Sequence, residues 1–219
     1  MLKRNLAALA LAVLAFPVAA TAEEVRKPVF AIEFDAGKRI RQRADHARPQ
    51  AEPEVLAQAT TPSAGEIMRK LEAAPRKKLR QNERVTVREF KRRPELRRMA
   101  PSIDIQSINF AFGSAEIPYS QYGKVENIAD ALGRLLDRRP GARFLIEGHT
   151  DAVGSFDSNY QLSDRRAAAL KRTLVREFGI PSRALETVGY GEEYLLVPTE
   201  NENWKNRRVT LRRFDEFVR

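Results

Sequence analysis

The sequence predicts an α+β fold of the mixed α/β kind. The expected architecture is a β-α-β-α-β-β sandwich with two helices packed on a small mixed sheet, preceded by a largely disordered segment. Short apolar or alternating stretches are typical of strands: residues 103–112, 143–147, 185–190 and 208–212. Apolar residues recur at helical spacing in two longer stretches, residues 120–139 and 162–178.

The first predicted strand presents three large apolar residues on one face: Ile108, Phe110 and Phe112. Ile103 and Ile105 alternate in the opposite phase, so we expect a bulge or break near residues 106–107. Six apolar positions then predict the first helix: Val125, Ile128, Ala129, Leu132, Leu135 and Leu136. Pro140 and Gly141 end this helix.

The second half of the domain repeats this order of elements. Residues 143–147 form a compact apolar run that suits an interior strand. Residues 148–160 are predicted to be a polar loop, and the second helix follows over residues 162–178 with Ser163 as its N-cap.

Residues 1–22 have the order of a secretory signal peptide. Lys3 and Arg4 precede an uncharged, mostly apolar run, and small residues follow at positions 20–22. The run is shorter than the roughly 20 residues that cross a membrane, so we predict cleavage after Ala22 rather than an uncleaved anchor. The chain has no cysteine, which excludes disulfides, thiolate metal sites and an N-terminal lipidated cysteine.

Residues 23–100 are predicted to be a weakly structured tether, and residues 101–219 the folded domain. The tether contains six prolines and three aromatic residues, so it has little apolar surface to offset the entropy lost on folding. Two elements are indicated within it. Ser63 and Glu66 resemble a capping box at the start of a short helix, and residues 84–88 could form an edge strand.

The formal charge of +10 comes mainly from this tether. Residues 23–100 hold 20 basic and 12 acidic residues, whereas residues 101–219 hold 17 of each. We therefore expect no nucleic-acid site in the domain. The excess charge of the tether is either simply solvated or attracted to an anionic surface, such as acidic lipid or lipopolysaccharide phosphate.

A charge pair is predicted at the carboxyl end of the central strand, where the loops of α/β sheets collect ligands. Asp151 lies in the loop that leaves this strand, and Arg166 lies in the first turn of the second predicted helix. An arginine there opposes the helix dipole, which is explained if it receives a carboxylate. The pair would suit a zwitterion. The alternatives are that Asp151 caps its loop and that Arg166 is solvated or pairs with Asp151.

Five motifs occur in order at suitable spacing: NFAFGSAEI at 109–117, EGHTDAVG at 147–154, NYQLSDRRA at 159–167, GYGE at 189–192 and NRRV at 206–209. Together they resemble the OmpA-like C-terminal domain, which occurs in outer-membrane porin-type proteins, peptidoglycan-associated lipoproteins and flagellar stator proteins. The resemblance covers about residues 103–215 and does not extend to residues 23–100.

The resemblance implies non-covalent binding of peptidoglycan through the diaminopimelate of its stem peptide, with no cofactor. It places the family's ligand-binding aspartate on Asp151 and its arginine on Arg166. Asn159 is implied as a supporting contact, and Thr150 is grouped with the ligand-binding residues.

Three further positions bear on the implied site. One of Arg207 and Arg208 is expected to face it, while the other could neutralise Glu147. Many relatives have an acidic or amide residue where this chain has Gly113. If that side chain contacts the ligand in those relatives, the contact is missing here and binding is weaker.

The rival function is that of a periplasmic cell-wall hydrolase, because His149, Asp151 and Ser163 are the residue types of a catalytic triad. A metal site needs three or more converging ligands, and the second histidine, His46, lies in the tether. We therefore predict a binding protein that is not an enzyme and holds no metal.

The leader and the resemblance together predict a Gram-negative periplasmic protein associated with the cell wall and the outer membrane. Its tether is expected to contact outer-membrane proteins, anionic lipid or lipopolysaccharide. Because the wall repeats its ligand, retention would be firmer if the protein forms a homo-oligomer.

Overall fold

A computed structural model describes residues 61–106, 108, 110 and 114–219. Within these residues there is a four-stranded sheet, in which the strands lie side by side in the order β1-β4-β2-β3. The strands are β1 (Ser102–Ile105), β2 (Phe144–His149), β3 (Leu185–Gly189) and β4 (Arg208–Arg213). β2 and β3 run parallel, and the other pairs are antiparallel. The predicted mixed sheet is therefore confirmed.

Five α-helices pack around this sheet in the described part of the chain: α1 (Ala64–Glu72), α2 (Val87–Arg92), α3 (Pro94–Met99), α4 (Tyr122–Arg138) and α5 (Phe156–Arg176). Short 3-10 turns occur at Gln81–Glu83, Tyr119–Gln121, Ser182–Ala184 and Asp215–Phe217. No helix of the described residues is long and apolar enough to cross a bilayer.

Helices α4 and α5 cover one face of the sheet, as predicted. Phe144 and Ile146 of β2 are fully buried in one apolar cluster with Leu132 of α4 and Leu170 of α5. The alternate residues of β2 face the other way, because successive side chains of a strand point to opposite sides.

Helix α5 touches the ends of β2 and β3 almost backbone to backbone. A Cβ atom added at Gly148 or Gly189 would collide with the main chain of Ser163 or Asp164. Glycine at both strand ends therefore lets α5 approach the edge of the sheet where the predicted site lies.

Helix α5 begins six residues earlier than predicted. Its N-cap is Ser155, whose hydroxyl accepts a hydrogen bond from the amide of Ser158 at 3.3 Å. Ser163 lies inside the helix and is fully buried, so its predicted role as N-cap is wrong. The first turns bury the polar Asn159 and expose the aromatic Phe156 and Tyr160, so no buried apolar stripe marks this part of the helix.

The first strand is also shifted from its predicted position. β1 contains Ile103 and Ile105, both of which are buried, whereas Ile108 and Phe110 lie outside any strand. Ile108 is nevertheless buried and Phe110 packs against the same apolar cluster. Their apolar spacing therefore reflected burial rather than a strand.

The prediction of a weakly structured tether does not hold for residues 64–100. Ser63 caps α1 as expected, accepting from the amide of Glu66 at 3.2 Å. Ile67 and Leu71 of α1 are fully buried in the cluster that contains α4. A few well-spaced apolar residues were thus sufficient for folding against a ready-made surface. The remainder of the predicted tether, residues 23–60, lies outside the described residues.

Residues 79–100, which we call the cover, lie on the second face of the sheet. Fully buried Phe90 packs in a second apolar cluster with Leu145 of β2. Its ring centroid lies 5.2 Å from that of Phe214 and 5.6 Å from that of Phe217. The cover is therefore an integral layer of the domain.

The edge strand predicted over residues 84–88 is wrong. Val85 forms one isolated parallel bridge to Val218. Thr86 instead caps α2 through a capping box with Glu89, whose carboxylate accepts from the amide of Thr86 at 2.7 Å. This local pairing favours helix over strand at these positions.

Candidate functional site

Asp151 lies just beyond the carboxyl end of β2, at the edge of the sheet where it was predicted. The amide of the preceding Thr150 donates to the carbonyl of Gly191 at 2.9 Å, which fixes the loop against the turn after β3. The carboxylate of Asp151, with 8% of the residue exposed, accepts a hydrogen bond from Arg207 at 2.8 Å. Arg207 also donates to Glu202 at 2.6 Å.

Arg166 lies near this pair but in the third turn of α5, because the helix starts earlier than predicted. The helix dipole acts mainly within the first turn, so it does not explain an arginine at this position. Its Nε donates to the carbonyl of Ser114 at 3.3 Å, and its guanidinium lies 4.9 Å from the ring centre of Phe110. Burial and the nearby charge of Arg207 lower the pKa of Arg166, against the opposing effect of Asp151.

The structure distinguishes the two arginines before β4. Arg207 faces the site and pairs with Asp151. Arg208 points elsewhere and donates to the carbonyl of Tyr194 at 2.9 Å. The expectation that the second arginine neutralises Glu147 is wrong, because Arg212 donates to that carboxylate at 2.8 and 3.1 Å.

Asn159 supports the loop that carries Asp151. Its buried amide donates to the carbonyl oxygens of Asp151 and Val153 at 3.3 and 3.2 Å, and to the carboxylate of Glu192 at 2.5 Å. The hydroxyl of Thr150 is buried and has no hydrogen-bond partner in the described part of the chain. Direct ligand contact by Thr150 or Asn159 stays a prediction. Gly113 lies outside the described residues.

The triad required by the hydrolase alternative is not assembled. Ser163 donates to the carbonyl of Tyr160 at 2.7 Å and accepts from the amide of Gly191 at 2.8 Å, so its hydroxyl joins α5 to the neighbouring turn. His149 lies on the opposite face of the sheet, where its Nε2 is 3.9 Å from a carboxylate oxygen of Glu147. Among the described residues, no group of three or more potential ligands is placed to hold a metal ion.

A buried charge cluster around Glu147 lies behind the site, and the sequence patterns did not indicate it. Burial opposes ionisation of Glu147, but the neighbouring His149 and the guanidinium groups of Arg212 and Arg97 outweigh it and lower the pKa of Glu147 to about 2. Burial lowers the pKa of His149 as well. Arg97 belongs to the cover, and no pattern in the sequence marked it out from the other arginines around it. Glu192 was quoted within the GYGE motif without a role.

The chain is similar in sequence to known proteins of one family. The model of the OmpA family matches residues 109–209. The chain is 35% identical to outer membrane porin F of Pseudomonas aeruginosa over 104 residues, which are 47% of this chain and 29% of that protein. It is 39% identical to the peptidoglycan-associated lipoprotein of Haemophilus influenzae over 95 residues, covering 42% of this chain and 61% of the relative.

Two further similarities concern peptidoglycan-associated lipoproteins. The protein of this name from Pasteurella multocida is 31% identical over 112 residues, covering 49% of this chain and 74% of the relative. The crystal structure of the Burkholderia pseudomallei lipoprotein aligns with 50% of this chain and 93% of its own, with 26% identity and a TM-score of 0.41. The matched region contains Asp151, Asn159, Arg166 and Arg207, and through residues 109–209 the chain belongs to the OmpA family.

Proposed function

We propose that the domain binds peptidoglycan non-covalently through the diaminopimelate of its stem peptide. The observation that supports this most directly is the ion pair of Asp151 and Arg207 at one edge of the sheet, whose charges also act on the guanidinium of Arg166. The similar lipoproteins are associated with peptidoglycan by name.

Diaminopimelate carries an ammonium and a carboxylate on one carbon, and the site offers a partner for each pole. The ammonium takes the place of the Arg207 guanidinium on Asp151, while Glu202 retains Arg207. The carboxylate binds Arg166, whose half-buried guanidinium has a neutral hydrogen-bond partner, the carbonyl of Ser114, but no ion pair in the described residues. A partly desolvated arginine is a strong receptor for a carboxylate.

Affinity for a single stem peptide should be modest. Hydrogen bonds to charged groups contribute about 1.5–3 kcal/mol each, and the ligand must displace an existing ion pair at Asp151. The wall repeats the same ligand many times, so a homo-oligomer or a second anchor would increase retention. We propose binding without catalysis.

Sedimentation with purified sacculi tests the assignment. Wild-type protein should sediment, and Asp151→Ala or Arg166→Ala should weaken binding about 30-fold or more, as expected when one partner of a desolvated charge pair is lost. Asp157→Ala and Arg165→Ala are matched controls, because both residues are exposed on the same helix. Equal retention of all five proteins contradicts the site, and release of wall fragments during incubation would support the hydrolase.

A second proposal concerns the position of the protein in the envelope. Residues 1–22, which lie outside the described residues, are proposed to be an export signal. N-terminal sequencing of the mature protein should find Glu23 first. An intact leader on protein recovered from the cell envelope would contradict cleavage after Ala22.

We also propose that the basic residues of the predicted tether, residues 23–100, bind an anionic lipid surface. Residues 61–100 carry 13 basic and five acidic residues, whereas residues 23–60 carry seven of each, so the excess charge lies in the folded part. Eight basic residues between positions 76 and 98 are exposed: Arg76, Lys77, Lys78, Arg80, Arg88, Arg92, Arg93 and Arg98. Each basic residue near such a surface adds about 1 kcal/mol of attraction.

Vesicle sedimentation tests this partner. Vesicles containing phosphatidylglycerol should bind the protein at low salt and release it at high salt, whereas pure phosphatidylcholine should not bind it. Replacing Arg88, Arg92 and Arg98 with glutamine should weaken this binding and leave sacculus binding intact. Equal binding to both vesicle types would rule out an electrostatic lipid anchor.

A further inference from the structure

Arg97 belongs to the cover and lies outside the region matched by the family model. Only 5% of the residue is exposed. Its guanidinium carbon lies 3.9 Å from the ring centre of Tyr190 and 4.2 Å from that of Tyr194. The same group is 4.0 Å from the carboxylate of Glu147. Arg97 therefore lies against two aromatic rings that are perpendicular to each other, and beside a buried negative charge, an arrangement that favours a cation.

The two tyrosines begin and end a turn, residues 190–194, that supports the candidate site. Within this turn, the carbonyl of Gly191 accepts from the amide of Thr150 at 2.9 Å. The carboxylate of Glu192 accepts from the amide group of Asn159 at 2.5 Å. Thr150 and Asn159 in turn hold the loop of Asp151, so the turn connects Arg97 with the ligand-binding carboxylate.

A second contact fastens the cover to the same turn. The hydroxyl of Tyr190 donates to the carbonyl of Lys91 at 2.6 Å, and the ammonium of Lys91 lies 2.9 Å from Glu186 of β3. The carbonyl of Arg97 also accepts from Arg212, the main partner of Glu147. The cover is thus joined to the turn and to the buried charges that lie beneath it.

We infer that Arg97 is a positioning residue for the wall-binding site: by clamping the turn 190–194 from the second face of the sheet, it sets the affinity of Asp151 for its ligand. This inference rests on the proposed function for its effect on affinity. The contact of Arg97 with the turn does not depend on the ligand. Loss of Arg97 should therefore alter the turn whether or not a stem peptide is bound.

The test compares Arg97→Met, Arg97→Lys and Tyr194→Leu with Arg98→Met, an exposed neighbour on α3, in the full mature chain. Calorimetry with a diaminopimelate-containing tripeptide gives the dissociation constant, and hydrogen exchange of the amides of Thr150 and Gly191 reports on the turn. Arg97→Met should weaken binding about tenfold and speed exchange at both amides, consistent with typical coupling between neighbouring elements. Arg97→Lys should keep part of the wild-type affinity and part of the wild-type protection from exchange, because it keeps the cation.

Tyr194→Leu keeps the buried arginine paired with Glu147, so it should fold and still show faster exchange at Thr150 and Gly191. The inference is overturned if the folded Arg97→Met and Tyr194→Leu proteins exchange and bind as Arg98→Met does. Failure of the wild-type protein to bind the tripeptide would instead contradict the proposed function, and the exchange data would still decide whether the clamp exists.

Discussion

The two faces of the sheet are built by different means. The face under α4 and α5 is mainly apolar, with Ile146 fully buried, and its buried guanidinium, that of Arg213, pairs with the partly exposed Glu216. The face under the cover holds a buried acid, Glu147, whose partner Arg212 keeps 12% of its side chain exposed. Apolar packing tolerates small changes of shape, whereas a buried ion pair depends on every partner being present. The second face should therefore be the more sensitive to single substitutions.

The largest expected effect is at Glu147. Replacing Glu147 with alanine leaves Arg212 and Arg97 without a counter-charge. The free energy of unfolding should therefore fall by about 3–5 kcal/mol, towards the upper end of that range. Urea denaturation measures the loss. Glu186→Ala is the matched control, because Glu186 pairs with Lys91 at the partly exposed edge and should cost about 0–1 kcal/mol. Equal losses would contradict the contrast between buried and exposed pairs.

Phe90→Ala tests whether the cover is part of the domain. Removing a fully buried ring that stacks on Phe214 should lower the free energy of unfolding by about 3–5 kcal/mol. The exposed neighbour Arg92, changed to alanine, should alter it by less than about 0.5 kcal/mol. If both variants unfold at the same urea concentration, residues 79–100 behave as the tether that the sequence predicted.

Acid should weaken the second face selectively. The pKa of Glu147 is about 2 in the folded protein and 4.5 ordinarily, so its stabilisation is complete above pH 4.5 and is lost as pH falls towards 2. This loss is on the order of 3 kcal/mol. His149, whose pKa is lowered by burial, adds a loss that begins below pH 6.5, because the unfolded chain binds its proton first. Between pH 7 and 3, the midpoint temperature of thermal unfolding should change less with pH for Glu147→Gln than for wild type.

The smallest effect is expected on the face under α4 and α5. Ile146→Val removes one methylene group from a fully buried side chain and should cost about 0.5–1.5 kcal/mol. Urea denaturation at neutral pH measures it. A loss as large as that of Glu147→Ala would show that the two faces do not differ in the way described.

The sequence predicted the face under α4 and α5 well because apolar periodicity is a local signal. Leu132 and Leu170 lie where helical spacing placed them, on the face of the sheet formed by alternate residues of β2. The cover was missed because its buried residues, such as Phe90 and Arg97, gain their environment only from a sheet that is distant in sequence. No window of the sequence contains both partners.

The candidate site was predicted in part. The motifs indicated Asp151 and Arg166, and the charge of Asp151 acts on the pKa of Arg166. The spacing argument for Arg166 failed because the start of α5 was misplaced, and the ion pair between Asp151 and Arg207 depends on a rotamer that a sequence does not specify. The assignment of Arg166 to the candidate site therefore rests on the family motifs and not on helix-end electrostatics.

A crystal structure of the protein with a diaminopimelate-containing stem peptide tests the central claim most directly. We expect the ligand ammonium about 3 Å from the carboxylate of Asp151, in place of Arg207, and its carboxylate on the guanidinium of Arg166. A ligand bound elsewhere, with the pair between Asp151 and Arg207 unchanged, would contradict the account.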